Sequence, residues 1–195
     1  MIMGRKPNTE QRRGQIVEAL RAEMAEIGYE RASIKSIAAR AGLAPGLLHY
    51  HFPSKEAILL ELVEALICQA DNRYEELASP QATPVELLGT FVKARVGLGG
   101  KPEDEQVRTW VNLMAEAVNQ DVVKERVAAW LSGSLEELAA NFRAANVKHP
   151  EAKAAMLVSM ILGAFQLHAL SVEGVPRGYA AEEIGGWLRQ VCATG

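Results

Sequence analysis

Apolar residues recur along this chain at spacings of three and four, the period of an amphipathic helix, with no sustained period-2 alternation of β-branched residues. Gly, Pro, Ser and Asn part these segments, as residues that punctuate helices do. Ile16, Leu20, Met24 and Ile27 form a stripe on a first helix over about 10–27, with Thr9 as N-cap and Gly28 as stop. Ser33 caps a short second helix whose inward residues are Ile34, Ile37, Ala38 and Ala41. Gly42 takes the turn after it, because a positive φ costs little only for glycine. Pro45 opens a third short helix ending near His51. Ser54 caps a fourth that runs to about Ala78, with Ile58, Leu62, Ala65 and Leu66 in line. Five more helices follow over about 85–97, 104–118, 121–145, 151–173 and 180–192. The expected fold is all-α with about nine helices.

Residues 33–56, SIKSIAARAGLAPGLLHYHFPSKE, read helix, glycine turn, helix, which is a helix-turn-helix. Leu43, Leu48 and Phe52 fall on its inward side. Pro45, Gly46, Leu47, His49 and Tyr50 are left outward, on a helix short enough for a major groove about 12 Å wide. Leu47 suits apolar contact with a thymine methyl, and His49 and Tyr50 can donate to phosphates. Lys55, in the first turn of the next helix, sets a cation beside unpaired backbone N–H groups. The net charge of −3 hides an asymmetry: residues 1–55 carry nine Lys/Arg against five Asp/Glu, and the remainder twelve against nineteen. A basic end on an acidic body is the footprint of a polyanion site. Arg12, Arg13 and the tail Gly4-Arg5-Lys6 are candidates to reach a groove or the DNA backbone.

The run Ser33, Ile37-Ala38, Ala41-Gly42-Leu43, Gly46, Tyr50-His51-Phe52 and Ser54-Lys55-Glu56 resembles the DNA-binding domain of the tetracycline-repressor (TetR) family. The resemblance covers about residues 9–60. It implies a DNA-binding domain over 1–53 and a helical effector-binding and dimerisation domain over 54–195. It also implies a homodimer on a palindromic double-stranded operator, most often a repressor released by a small molecule. Position by position, it implies that Lys35 touches phosphate or base, that Pro45, Gly46 and Leu47 face bases, and that His49, Tyr50 and Lys55 hold phosphates. Two positions depart from the family's habit: Ala44 stands where Ser or Thr is usual, and His49 where Tyr is usual.

Beyond residue 100, Val107, Trp110, Val111, Met114 and Val118 share one side of a helix. The 151–173 segment is apolar almost all round, which requires enclosure on every side. Ser159, Gly163 and Ala164 are small enough to admit a partner helix. With Leu167, Ile184, Trp187, Leu188 and Val191 they form the expected dimer interface, on the pair of helices the resemblance implies. Phe91, Trp110, Met114, Met160, Phe165 and His168 are the candidate pocket lining. Adaptable Met, flat aromatics and few polar groups suit a mostly apolar organic effector. Asn112, Glu116 and Gln166 are further polar candidates.

An apolar fraction of 49% with 23% charged residues excludes a disordered chain. No uncharged apolar run of about 18 residues appears, so no membrane span is expected. The first residues hold no apolar signal segment, and the expected location is the cytoplasm. Cys68 and Cys192 sit in separate amphipathic patterns as free thiols, with no metal-ligand spacing and no cofactor motif. No nucleophile, base and acid are spaced for catalysis, so no enzyme is expected. The remaining alternative is a DNA-independent ligand-binding or adaptor protein of the same fold.

Overall fold

Helix after helix, the apolar stripes close on one another in the computed structural model, which describes residues 6–96 and 101–193. Among the described residues there are nine α-helices and no strand. They are α1 (Lys6–Ile27), α2 (Ile34–Arg40), α3 (Pro45–His51), α4 (Lys55–Leu77), α5 (Pro84–Val96), α6 (Lys101–Asn119), α7 (Asp121–Ala144), α8 (Pro150–Ala169) and α9 (Tyr179–Ala193). The all-α expectation holds, and the helix ends move by a few residues. Thr9 lies inside α1 rather than capping it.

The ends of the helices follow from local chemistry. Ser33 accepts from the Ser36 backbone N–H while the Ser36 hydroxyl accepts from the Ser33 N–H, each at 3.0 Å, a reciprocal cap that starts α2. Gly42 stands at φ +67°, with Leu43 N–H on the Ala38 carbonyl at 2.8 Å and Gly42 N–H on that of Ala39 at 3.1 Å. This is the Schellman closure, and it swings the chain from α2 into α3. The same closure ends α8: Ser171 stands at φ +50°, and Val172 N–H reaches the Leu167 carbonyl. That stop precedes the expected end near 173, since serine is not the residue by which such a turn is recognised.

Two cores result. In the first, Ile16, Leu20 and Met24 of α1, Ile37 of α2, Leu48 of α3 and Phe52 pack on Ile58, Leu59 and Leu62 of α4. The same core continues into Leu113 of α6 and Val123 and Val127 of α7. The second joins Leu88, Phe91 and Val92 of α5, Leu138 and Phe142 of α7, Leu157 and Ile161 of α8, and Ile184 and Leu188 of α9. Phe165 of α8 packs against both. On α6, Leu113 and Ala117 take the inward line, while Val118 is exposed.

By length and composition α8 is apolar enough to cross a membrane, which an uninterrupted-run criterion did not register. It packs against α6 and α7 and leaves Met156, Ser159, Gly163, Leu167 and Leu170 exposed along one edge.

Candidate DNA interface and effector cavity

The helix-turn-helix presents α3 on two inward anchors. Leu48 and Phe52 are buried at 0% and 1%, whereas Tyr50 between them is 78% exposed. Leu47 is 44% exposed, and Lys35, Pro45, Gly46 and His49 are exposed as well. This is the outcome of helical spacing: 48 and 52 share a face, and 47 and 50 share another. Ala44 supplies no side-chain bond at the start of α3; Pro45 has no N–H and the Leu47 N–H donates to the Ala44 carbonyl at 2.9 Å, which leaves the Gly46 N–H there without a capping side chain.

Much of the basic excess counted in the sequence is committed inside the fold. The Arg13 guanidinium bonds Glu61 of α4, donates to the His51 carbonyl at 2.6 Å, and lies 4.0 Å over the Phe52 ring. Arg40 holds Glu23 and Glu26 of α1 at 2.7 and 2.6 Å. That hydrogen bonding holds the Glu26 carboxyl below the usual carboxylate range. These two arginines brace α1 against α2 and α4. Arg13, a candidate to reach a groove, is here a structural tie between α1, α4 and the end of α3. Gly4, Arg5 and the Lys6 side chain lie outside the described residues.

Lys55 is engaged within the fold as well. Its Nζ donates to the carbonyls of Tyr29 at 3.0 Å and Ala32 at 3.1 Å, and sits 4.0 Å from the Tyr29 ring centroid. The loop after α1 exposes those carbonyls, and the nearest cation satisfies them. Lys55 thus pins that loop to α4 with two of its three ammonium donors. Lys55→Ala is expected to lower stability by about 1–3 kcal/mol, the worth of charged hydrogen bonds. Lys35→Ala, on the exposed face, should leave it unchanged. Paired thermal unfolding curves check this; equal midpoints for the two variants would refute the structural role.

A cavity of about 880 Å³ opens between the two cores, walled by α4, α5, α6, α7 and α8. Four of the six expected lining residues meet there: Phe91, Trp110, Met114 and Phe165. Met160 does not, because it turns into the second core. His168 does not either. Its Nε2 pairs with Asp104 Oδ1 at 2.6 Å and lines a separate cavity of about 270 Å³. Asn112 is spent elsewhere too, donating to the Met24 carbonyl of α1 at 2.8 Å, and Glu116 accepts from Gln120.

Among the wall residues that sequence spacing missed, two carry polar chemistry into the cavity's aromatic side. Trp130 stacks on Trp110 with ring centroids 5.2 Å apart, and its Nε1 donates to Asp71 Oδ1 at 3.0 Å. Arg95, buried at 9% exposure, donates to the Ala70 carbonyl and, at 3.3 Å, to Asp71. Burial lowers the Arg95 pKa, Asp71 opposing the shift. Arg95 falls on the inward stripe of α5, and a cation on an apolar stripe was the available signal.

The expected interface residues divide. Ser159, Gly163 and Leu167 are exposed on α8. Ala164, Ile184 and Leu188 are buried at 6%, 5% and 3% in the subunit's own core, which corrects their place at an interface. Trp187 and Val191 pack on that core as well, Trp187 edge-on to Phe142. The reason is that α9 spends its apolar stripe on α5 and α8.

Comparison with known proteins agrees with this geometry. Residues 16–62, from α1 to within α4, match the family model for bacterial regulatory proteins, tetR family. The HTH-type transcriptional repressor KstR2 of Mycobacterium tuberculosis is 35% identical over 82 residues, 42% of this chain and 41% of the repressor. The chain thus spans about two fifths of the length of the curated relatives it matches at this level, and these are regulators rather than enzymes. A transcriptional regulator from Rhodococcus superposes with a TM-score of 0.84 at 19% identity, over 93% of this chain and 96% of its own. A transcriptional regulator from Saccharomonospora viridis, crystallised with choline, superposes with a TM-score of 0.82 at 21% identity, over 92% and 96%. The N-terminal residues 16–62 are thus similar to the DNA-binding part of the tetR family of bacterial regulatory proteins, and the chain shares its fold nearly end to end with solved transcriptional regulators.

Proposed function

We propose that this chain is a cytoplasmic transcriptional repressor that binds a palindromic DNA duplex as a homodimer and is released when a small organic effector enters the 880 Å³ cavity. The observation that carries the reading is the outward face of α3, with Leu47 and Tyr50 exposed beside Lys35 and carried on buried Leu48 and Phe52. Tyr50 meets the ring of His51 edge-on at 5.2 Å between centroids and is otherwise open to solvent. It is a donor for a phosphate, and Pro45 and Gly46 let the backbone approach base edges.

The partner subunit is proposed to cover the exposed edge of α8, Met156, Ser159, Gly163, Leu167 and Leu170, spaced three and four apart. Small residues at its centre let two helices approach closely. To read half-sites one turn of DNA apart, two copies so joined have to hold their recognition helices about 34–36 Å apart.

Coupling is proposed to run through α6. Trp110 and Met114 wall the cavity, and Asn112, between them, holds the last turn of α1 through the Met24 carbonyl. A ligand that shifts α6 moves α1 and the recognition helix with it, and affinity falls by the ligand's differential binding to the two states. That a neighbour of this fold was crystallised with choline is in keeping with a small organic effector.

The test is enrichment of a duplex from a random-sequence pool, followed by light scattering of wild type and Leu167→Glu. A palindrome bound by a dimer is expected. Leu167→Glu should be monomeric, keep its helical circular dichroism, and lose at least about tenfold in affinity, since burying a carboxylate in the apolar seam is costly. A chain that enriches no duplex, or a Leu167→Glu variant that stays dimeric and binds normally, would overturn the proposal.

A further inference from the structure

The charge inside the cavity selects the chemical class of its ligand. Arg95 is a cation at 9% exposure on the wall of an otherwise largely apolar chamber. Among the described residues, its guanidinium makes two hydrogen bonds, one to a carbonyl and one at 3.3 Å to Asp71. Asp71 is itself about half-exposed and shared with Trp130 Nε1. A guanidinium carries five N–H donors, so capacity for a further acceptor is left. The other charged residues on the wall are Arg73 and Glu76, and Asp71 stands beside Arg95 at 3.3 Å.

The rings of Phe91 and Trp130 are already taken. Arg95 lies 4.7 Å over the Phe91 ring and 5.5 Å over that of Trp130, and Trp130 is stacked against Trp110. A cationic ligand seeks such faces, but here it would meet a resident guanidinium and like-charge repulsion in a poorly solvated site. A carboxylate meets the reverse. It gains charge-assisted hydrogen bonds from Arg95 while its apolar body packs on Trp110, Met114 and Phe165.

We infer that the effector is an organic acid, an apolar body ending in a carboxylate held by Arg95, and not a quaternary ammonium. This rests on the effector reading of the same cavity given above.

The experiment titrates the full chain by calorimetry with three ligands on one scaffold: 6-phenylhexanoate, 6-phenylhexan-1-ol and trimethyl(6-phenylhexyl)ammonium. In wild type the acid is expected to bind more than about tenfold tighter than the alcohol, and the ammonium weakest, as charged hydrogen bonds dictate. In Arg95→Met the acid and the alcohol should bind alike, and Arg95→Lys should keep part of the preference. The wild-type ranking needs no variant, so a misfolded Arg95→Met leaves the inference testable. An alcohol or ammonium bound as tightly as the acid overturns the inference and leaves the effector cavity standing. Binding of none of the three, with duplex affinity unchanged by all, overturns the effector reading and the inference with it.

Discussion

Duplex binding should weaken by about a thousandfold or more when monovalent salt rises from about 50 to about 200 mM. A dimer that neutralises some six to ten phosphates releases that many condensed counterions, and the slope of log affinity against log salt counts them. Lys35→Ala should flatten the slope by about 1 per half-site, because it removes one exposed cation from each. Tyr50→Ala should leave the slope nearly unchanged and still weaken binding by roughly 30-fold or more, from a lost phosphate bond of about 1–2 kcal/mol in each half-site. Neither change should move the unfolding midpoint, since both side chains are exposed. Fluorescence anisotropy of a labelled duplex across a salt series measures all three. Affinity independent of salt would mean that α3 is not a nucleic-acid surface.

Phe52→Ala, two positions from Tyr50, should have the opposite signature. Phe52 is buried at 1% at the end of α3, packed in the first core and covered by the Arg13 guanidinium. Emptying that site removes the ring's transfer free energy and leaves a cavity, together about 3–5 kcal/mol. It also strips the cation of its aromatic partner. The first core runs without interruption from α1 through α4 into α6 and α7, so the loss is expected in one cooperative transition. Denaturant unfolding followed by helical circular dichroism measures it. A separate early melt of 6–52 alone would show the N-terminal helices to be energetically independent, and a loss under about 1 kcal/mol would show the packing to be wrongly assigned.

These contrasting outcomes reflect how unevenly the chain could be read. Helix count, the turn at Gly42 and the alternation of buried Leu48 and Phe52 with exposed Leu47 and Tyr50 follow from spacing and capping, which act within a few residues. So do four of the cavity's wall residues, since large apolar side chains on inward stripes meet wherever helices enclose space. The pairing of charges was not legible in this way. Lys55 and Arg13 look free in the sequence, yet each ends on groups far from it in sequence, the Tyr29 and Ala32 carbonyls for one and Glu61 with the His51 carbonyl for the other.

Local order, from the period of the stripes to the caps that end them, was thus written in neighbouring residues, and with it the outward face of the recognition helix. What only the packed helices decided was partnership: that α9 turns Ile184 and Leu188 inward, that α8 keeps Leu167 outward, that His168 leaves the main cavity for Asp104, and that Arg95 enters it beside Asp71 and Trp130. Stripes and caps arise from interactions a turn or less apart, whereas an ion pair or an interface depends on distances between helices, and those are set by the whole core closing at once.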